Sequence, residues 1–185
     1  MTTWNNGKYI LLKGFAKKFC DINSFSNLVE NSVCVNHIHN DGGSLSSLMI
    51  GTQNPIHDFL MESKQLIESA VEKKFKLENL DMKFSGNLMN FRDGIDMHND
   101  WFDLNKTHHP DAIVARGVLS LNPTYVFGTN AYLSSDPDTF VDEFGGYPGD
   151  LFIFKCSPDS WHSVGFKKER HPPRYSMNIT FRVKK

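Results

Sequence analysis

Arg174-Tyr175-Ser176-Met177-Asn178-Ile179-Thr180-Phe181-Arg182-Val183 alternates between polar and apolar side chains along its length. Strand side chains leave to opposite sides of a sheet in turn. An extended backbone here puts Arg174, Ser176, Asn178, Thr180 and Arg182 on one face, and Tyr175, Met177, Ile179, Phe181 and Val183 on the other. The apolar set suits a core. The polar set suits a wet or charged lining, and an interior arginine there requires a paired anion. Upstream, a Gly149-Asp150 turn leads into Leu151-Phe152-Ile153-Phe154, a continuous apolar run of the kind found in fully buried strands. Further short strand-like runs lie at 82–91, 115–121 and 131–133. They are separated by loops at 105–111, 122–130 and 134–149 that are rich in Gly, Pro, Asn and Asp.

The N-terminal part reads differently. Tyr9-Ile10-Leu11-Leu12 is a plausible first strand ended by Gly14, and Ser24 can cap a short helix turning Phe25, Leu28 and Val29 inward. The stretch 33–51 is polar, with Asp41-Gly42-Gly43-Ser44 reading as a loop. A longer helix follows, with Asn54 as N-cap and Pro55 at the first helical position. Ile56, Phe59, Leu60, Ile67, Ala70, Val71 and Phe75 recur on one side of it, a packing stripe. Many short strands after a helical beginning predict a mainly β fold with supporting N-terminal helices, a β-sandwich or jelly roll. At 185 residues with no internal repeat, one domain is expected. Within it residues 1–84 support a core formed by 85–185.

Composition narrows the function. With 39% hydrophobic and 22% charged residues the chain is neither disordered nor fibrous. A net charge of -1 gives no general attraction to nucleic acid or anionic membrane. The charge is uneven, acidic from 93 to 150 and basic over the last twenty or so residues. Cys20, Cys34 and Cys156 have no metal-type spacing and read as structural thiols of a cytoplasmic protein. No leader or membrane-spanning run is evident.

The chemistry-bearing pieces are Met97-His98-Asn99-Asp100 and Trp161-His162-Ser163-Val164. On an extended backbone His98 and Asp100 share a face. With His162 they make two imidazoles and a carboxylate, a ligand set that takes one face of an octahedral metal and leaves other positions open. His37 and His39 have strand spacing but no carboxylate companion, and read as a surface or loop pair. His57, His108, His109 and His171 have no comparable support.

In order and spacing, residues 90–182 resemble the 2-oxoglutarate/Fe(II)-dependent dioxygenases, the prolyl-hydroxylase-like branch most closely. The matching pieces are Phe91-Arg92-Asp93-Gly94 with His98-Asn99-Asp100, then Arg116 through Leu121-Asn122, and Phe127-Gly128-Thr129-Asn130. Gly149 through Phe154, His162-Ser163-Val164 and Arg174-Tyr175-Ser176 complete the series. The resemblance implies a double-stranded β-helix (jelly roll) in which His98, Asp100 and His162 bind Fe(II). It also implies that Arg174 pairs with the distal carboxylate of the co-substrate 2-oxoglutarate, with Ser176 as a hydroxyl donor beside it. The planar arginine fork suits a carboxylate. Such an enzyme uses O2 to hydroxylate an unactivated C–H bond, releasing succinate and CO2.

Two positions depart from the pattern. Phe91 stands where many members have a tyrosine, and the gap from Gly94 to His98 is short. Asp100 favours hydroxylation or another oxygenase outcome over the halogenating variation, in which a small residue replaces the ligand carboxylate. Arg182 shares the strand face and rivals Arg174 for the carboxylate. Trp101, Phe102, Asp103 and the loop 122–149, with Tyr125, Phe127, Asn130, Tyr132, Phe140 and Tyr147, are expected at the substrate mouth. Asp136 and Asp138 in that loop suggest a cationic or amine-bearing substrate, an amino acid or peptide segment. A nucleic-acid dealkylase of the same superfamily and a catalytically silent binding jelly roll are the alternatives.

Overall fold

The alternating stretch forms a strand at the centre of the larger of two antiparallel sheets. The computed structural model describes residues 3–21, 32–38, 44–50, 55–89, 94–101, 112–165 and 172–184, and gives the backbone alone for 32–38, 44–50 and Leu88. In chain order the strands are β1 (Tyr9–Leu12), β2 (Ser32–Ile38), β3 (Ser44–Ile50), β4 (Leu80–Met89), β5 (Ile95–His98) and β6 (Ile113–Ser120). They continue with β7 (Thr129–Tyr132), β8 (Phe140–Phe144), β9 (Leu151–Lys155), β10 (His162–Val164) and β11 (Arg174–Val183). The helix α1 spans Pro55–Phe75. The large sheet has the order β1-β9-β6-β11-β4-β3-β2, and the small one β5-β10-β7-β8.

The two faces of β11 part as the alternation requires. Met177, Ile179 and Phe181 are fully buried in one cluster with Ile56, Leu60, Ile67, Val71 and Phe75 of α1. The spacing of those helix residues keeps them on one side, so α1 backs the large sheet. Burial of such a side chain contributes roughly 1.5–3 kcal/mol. On the opposite face the register runs in polar rows. Ser176 aligns with Asn87 and Ser120, Asn178 with Ser85 and Val118, and Thr180 with Lys83 and Arg116.

The helix also closes a sheet edge. β3 pairs with β4 only from Gly86 to Leu88, so the start of β4 has free amides. Glu68 Oε1 accepts from Met82 N at 2.7 Å, and Glu72 Oε1 from Leu80 N at 2.9 Å. Lys64, one turn earlier, reaches Asp81 at 2.8 Å. Residues 64, 68 and 72 thus form a second, polar stripe that satisfies an edge otherwise open to strand addition.

The N-terminal residues are woven into the rest. β1 pairs with β9 from Tyr9↔Phe154 to Leu12↔Leu151. Trp4 is buried among Phe144, Phe152 and Phe154, and its Nε1 donates to Trp161 O at 3.0 Å. Gly149 holds φ +74° where its backbone passes against Ala16 and Lys17, a conformation and an approach that only glycine allows.

The fold is mainly β, with antiparallel sheets and one α-helix among the described residues. Two segments differ from the sequence reading. The polar stretch 33–51 contains the hairpin strands β2 and β3, which β-branched Val33 and Val35 favour and which β4 extends into the sheet. The presumed loop 134–149 contains β8, brought back onto β7 by a 3-10 turn that Asp136 caps through Asp138 N. The expected helix at Ser24 and the N-cap Asn54 lie outside the described residues. No described helix is long and apolar enough to cross a membrane.

Candidate metal centre

His98 is the last residue of β5 and His162 the first of β10, and the two are in register. Asp100 lies two residues beyond the end of β5, so the expected shared strand gives way to a strand end and the turn after it. Asn99 fixes that turn. Its Oδ1 accepts from Trp101 N at 2.8 Å and from Ser160 Oγ at 3.2 Å, while its Nδ2 donates to Pro158 O at 2.8 Å. The segments carrying His98, Asp100 and His162 are therefore tied together.

Each imidazole is oriented by a backbone carbonyl two residues earlier. His98 Nδ1 bonds Asp96 O at 2.7 Å, and His162 Nδ1 bonds Ser160 O at 2.8 Å. A carbonyl only accepts, so both Nδ1 atoms carry the proton and both Nε2 lone pairs are left for another partner. Those Nε2 atoms stand 3.7 Å (His98) and 3.5 Å (His162) from Asp100 carboxylate oxygens. One ligand atom from each of the three residues lies within 4.8 Å of the others. Burial, then the neighbouring His162, pushes the His98 pKa down and favours the neutral, ligating form. Burial opposes the charge of Asp100, but contact with His162 and the Arg116 guanidinium outweighs it and holds the carboxyl well below the usual range. Two imidazoles and a carboxylate so arranged suit a divalent metal with open positions.

A cavity of about 320 Å³ extends from this cluster between the sheets, reaching Arg174 and Asn178 on β11. Arg174 is 3% exposed, yet its contacts among the described residues are weak ones. Its Nη1 meets Met89 Sδ at 3.6 Å, its guanidinium lies 5.6 Å from the Phe127 ring centre, and Nη2 has no hydrogen-bond partner among the described residues. Burial lowers its pKa to about 10, opposed by the charge of Glu143, so it remains cationic at neutral pH. Asn122 clamps the backbone on both sides of it, donating to Pro173 O and accepting from Tyr175 N, each at 2.8 Å. Ser176 is buried on the same strand face with Oγ unpartnered, although it does not line the cavity. Thr129, which the sequence reading did not single out, does line it, with Oγ1 also buried and unpartnered. Arg182 does not line the cavity. Eight residues along a strand separate it from Arg174 by roughly 27 Å.

Arg116 was read only as the start of a motif, and it enters the site itself. Its Nε is 3.1 Å from Asp100 Oδ2, and its Nη2 donates to Asp100 Oδ1 at 3.3 Å. The signal was present: a lone arginine within the otherwise apolar run Ile113-Val114-Ala115-Gly117-Val118. The expected mouth residues behave differently. Tyr125, Tyr132, Phe140 and Tyr147 do not line the cavity, nor do Asp136 and Asp138, and Phe127 instead packs beneath Arg174. Phe91, Phe102, Asp103, His39, His108, His109 and His171 lie outside the described residues. His57 stands apart from the cluster, beside Asp58 and the Phe84 ring. Burial pushes the Cys20 thiol up to about 11 and the Cys156 thiol to about 12, as unreactive structural cysteines require.

No family model and no curated protein sequence matches the chain. Solved structures do match. A Pseudomonas putida prolyl-4-hydroxylase superposes with a TM-score of 0.67 at 15% identity, over 96% of this chain and 94% of that one. A Trichoplax adhaerens prolyl hydroxylase, in complex with a hypoxia-inducible-factor peptide fragment, gives 0.64 at 15% identity over 96% and 84%. The epimerase SnoN, in complex with Fe3+, α-ketoglutarate and nogalamycin RO, gives 0.64 at 12% identity over 95% and 79%. The chain therefore shares its fold with prolyl hydroxylases and a 2-oxoglutarate-dependent epimerase.

Proposed function

We propose that this protein is a 2-oxoglutarate- and Fe(II)-dependent dioxygenase, built as one jelly-roll (double-stranded β-helix) domain over residues 1–185. In this reading it hydroxylates an unactivated C–H bond of an amino acid, a peptidyl residue or a related small molecule. His98, Asp100 and His162 hold the metal. Arg174 takes the distal carboxylate of 2-oxoglutarate, and the hydroxyls of Thr129 and Ser176 supply further donors.

The observation that carries the reading is the pairing of two incomplete sites in one cavity. At one end, three ligand atoms converge with both imidazole Nε2 atoms free to bind. At the other, a buried cationic arginine has no ion-pair partner among the described residues. An uncompensated buried charge is costly, and a dicarboxylate spanning the cavity satisfies both ends. Iron with bound 2-oxoglutarate and O2 would supply the oxidising power. The chain's own residues do the rest. Asp96 O and Ser160 O fix the imidazole tautomers, Asn99 and Asn122 hold the ligand and arginine segments in place, and the apolar walls at Met89, Ile95, Phe154 and Val164 limit water.

The test is anaerobic titration with Fe(II) and then 2-oxoglutarate, following the visible charge-transfer band of the chelated complex. The parent protein is expected to develop the band, and His162→Ala to bind metal at least about 100-fold more weakly and show none, a larger loss than removal of an outer-shell group. Absence of the band in folded, iron-loaded parent protein would reject the oxygenase.

A further inference from the structure

The cavity has a second arginine that 2-oxoglutarate does not need. Arg116 lines it beside the metal-binding cluster, 30% exposed, at the opposite end from Arg174. Among the described residues, only its Nη2 makes a directional hydrogen bond, to Asp100, while its Nε–H is buried without one. A guanidinium has five N–H donors in a fork shaped for a carboxylate, so most of its capacity is unused. Among the described residues its ion-pair partner is Asp100. In the proposed enzyme that carboxylate serves the metal.

The neighbouring positions carry the same sign. Lys83 and Arg116 flank Thr180 in register on β4, β11 and β6, roughly 10 Å apart. Arg182 lies two residues further along β11 on the same face, its Nε also buried and without a hydrogen bond among the described residues. Asp81, beside Arg182, is engaged by Lys64, with the charges of Lys83 and Lys184 nearby. Of the carboxylates lining the cavity there are Asp100 and the exposed Asp96. Of the acidic residues of the 122–149 segment, Asp136, Asp138 and Asp142 are exposed and half-buried Glu143 acts on Arg174, and none lines the cavity. Among the described residues the side chains beyond Arg116 on this face, Lys83 and Arg182, are cationic, which favours an acidic substrate over the amine-bearing one that the sequence suggests.

We propose that Arg116 is a specificity-determining residue that binds a carboxylate of the substrate, with Lys83 and Arg182 adding positive potential at the mouth. The inference rests on the oxygenase reading and narrows its substrates to acids: small carboxylic acids, or peptides presenting a carboxylate close to the oxidised carbon. A cavity of this size that must also hold the co-substrate favours a compact group beside the metal.

The test uses full-length protein loaded anaerobically with Fe(II) and 2-oxoglutarate, the charge-transfer band being recorded first for parent, Arg116→Gln and Arg116→Lys. A parent without that band rejects the oxygenase reading itself and is thereby distinguished from failure of the present one. Matched acid and amide probes are then titrated: N-acetylglycine against N-acetylglycinamide, and an acetylated tripeptide with central Glu against its Gln counterpart. In the parent, the acid of at least one pair is expected to perturb the band about tenfold more tightly than its amide, with the preference weakening as salt rises. Which pair responds distinguishes a small acid from a peptide carboxylate. The preference should vanish in Arg116→Gln and partly survive in Arg116→Lys. Equal binding of acid and amide in the parent overturns the proposal, whatever the variants do. So does a preference that persists in Arg116→Gln, or a panel in which no acid perturbs the site.

Discussion

The two faces of the large sheet solve the same problem in opposite ways. On the helix side the glutamates that meet the sheet are matched. Glu68, 9% exposed, accepts from Met82 N and sits beside Lys64, and Glu72 accepts from Leu80 N. On the cavity side Arg174 Nη2, Ser176 Oγ and Thr129 Oγ1 are buried without hydrogen-bond partners among the described residues. Both faces belong to the same strands, so local propensity does not separate them. Matched groups hold a fold together, whereas groups left unmatched by the fold await a ligand. The comparison locates a binding site without reference to any ligand.

It can be broken most severely at Arg174. Arg174→Met replaces an unpaired charge with an apolar chain of similar length, beside Met89 and Phe127. Affinity for 2-oxoglutarate, measured by anaerobic titration, is expected to fall by roughly 2–5 kcal/mol, the loss typical of truncating one partner of a buried charge pair. The thermal midpoint of the ligand-free protein should stay level or rise, because a buried charge has been removed. A large fall in that midpoint would make Arg174 a structural residue.

The opposite result is expected across the sheet. Glu68→Ala leaves Met82 N without its acceptor at a closed edge and should cost about 1–3 kcal/mol in urea unfolding. Metal and 2-oxoglutarate affinities should not change. If they do, the helix face and the cavity face are coupled and the division fails.

The smallest effect sharpens the picture at the rim. The hydrogen bond from Lys64 lowers the Asp81 pKa, so the folded state holds this carboxylate ionised more firmly than the unfolded chain does. Its stabilisation is present above the ordinary carboxylate pKa and is lost as pH falls through the depressed folded value. Both partners are about a third exposed, so Lys64→Ala should cost less than about 1 kcal/mol at pH 7. The gap from the parent should close on acidification, and a gap that widens would reverse the assignment.

The alternation of β11, the apolar β9 run and the stripe of α1 were legible in the sequence because burial on one side imposes its period directly on the residues. The grouping of His98, Asp100 and His162 was legible because their types and order suit a metal, and the burial of Arg174 because it shares a face with the polar set of β11. The hairpin β2–β3 and the strand β8 were not legible, since they lie towards or at sheet edges, where polar residues are tolerated and periodicity fades. Thr129 and Arg116 were missed for a related reason. Each is one polar residue in a strand, and nothing nearby in sequence says which cavity that strand lines.

The sequence by itself determined that a β-rich core would form and which side chains could serve a metal and an acid. Tertiary structure alone decided that Arg116 meets Asp100 at the cavity, that Arg182 stays outside it, and that Asp136, Asp138 and Asp142 face solvent. Those outcomes depend on strand order and register between residues far apart in the chain, and the period of any single strand carries no information about its neighbours.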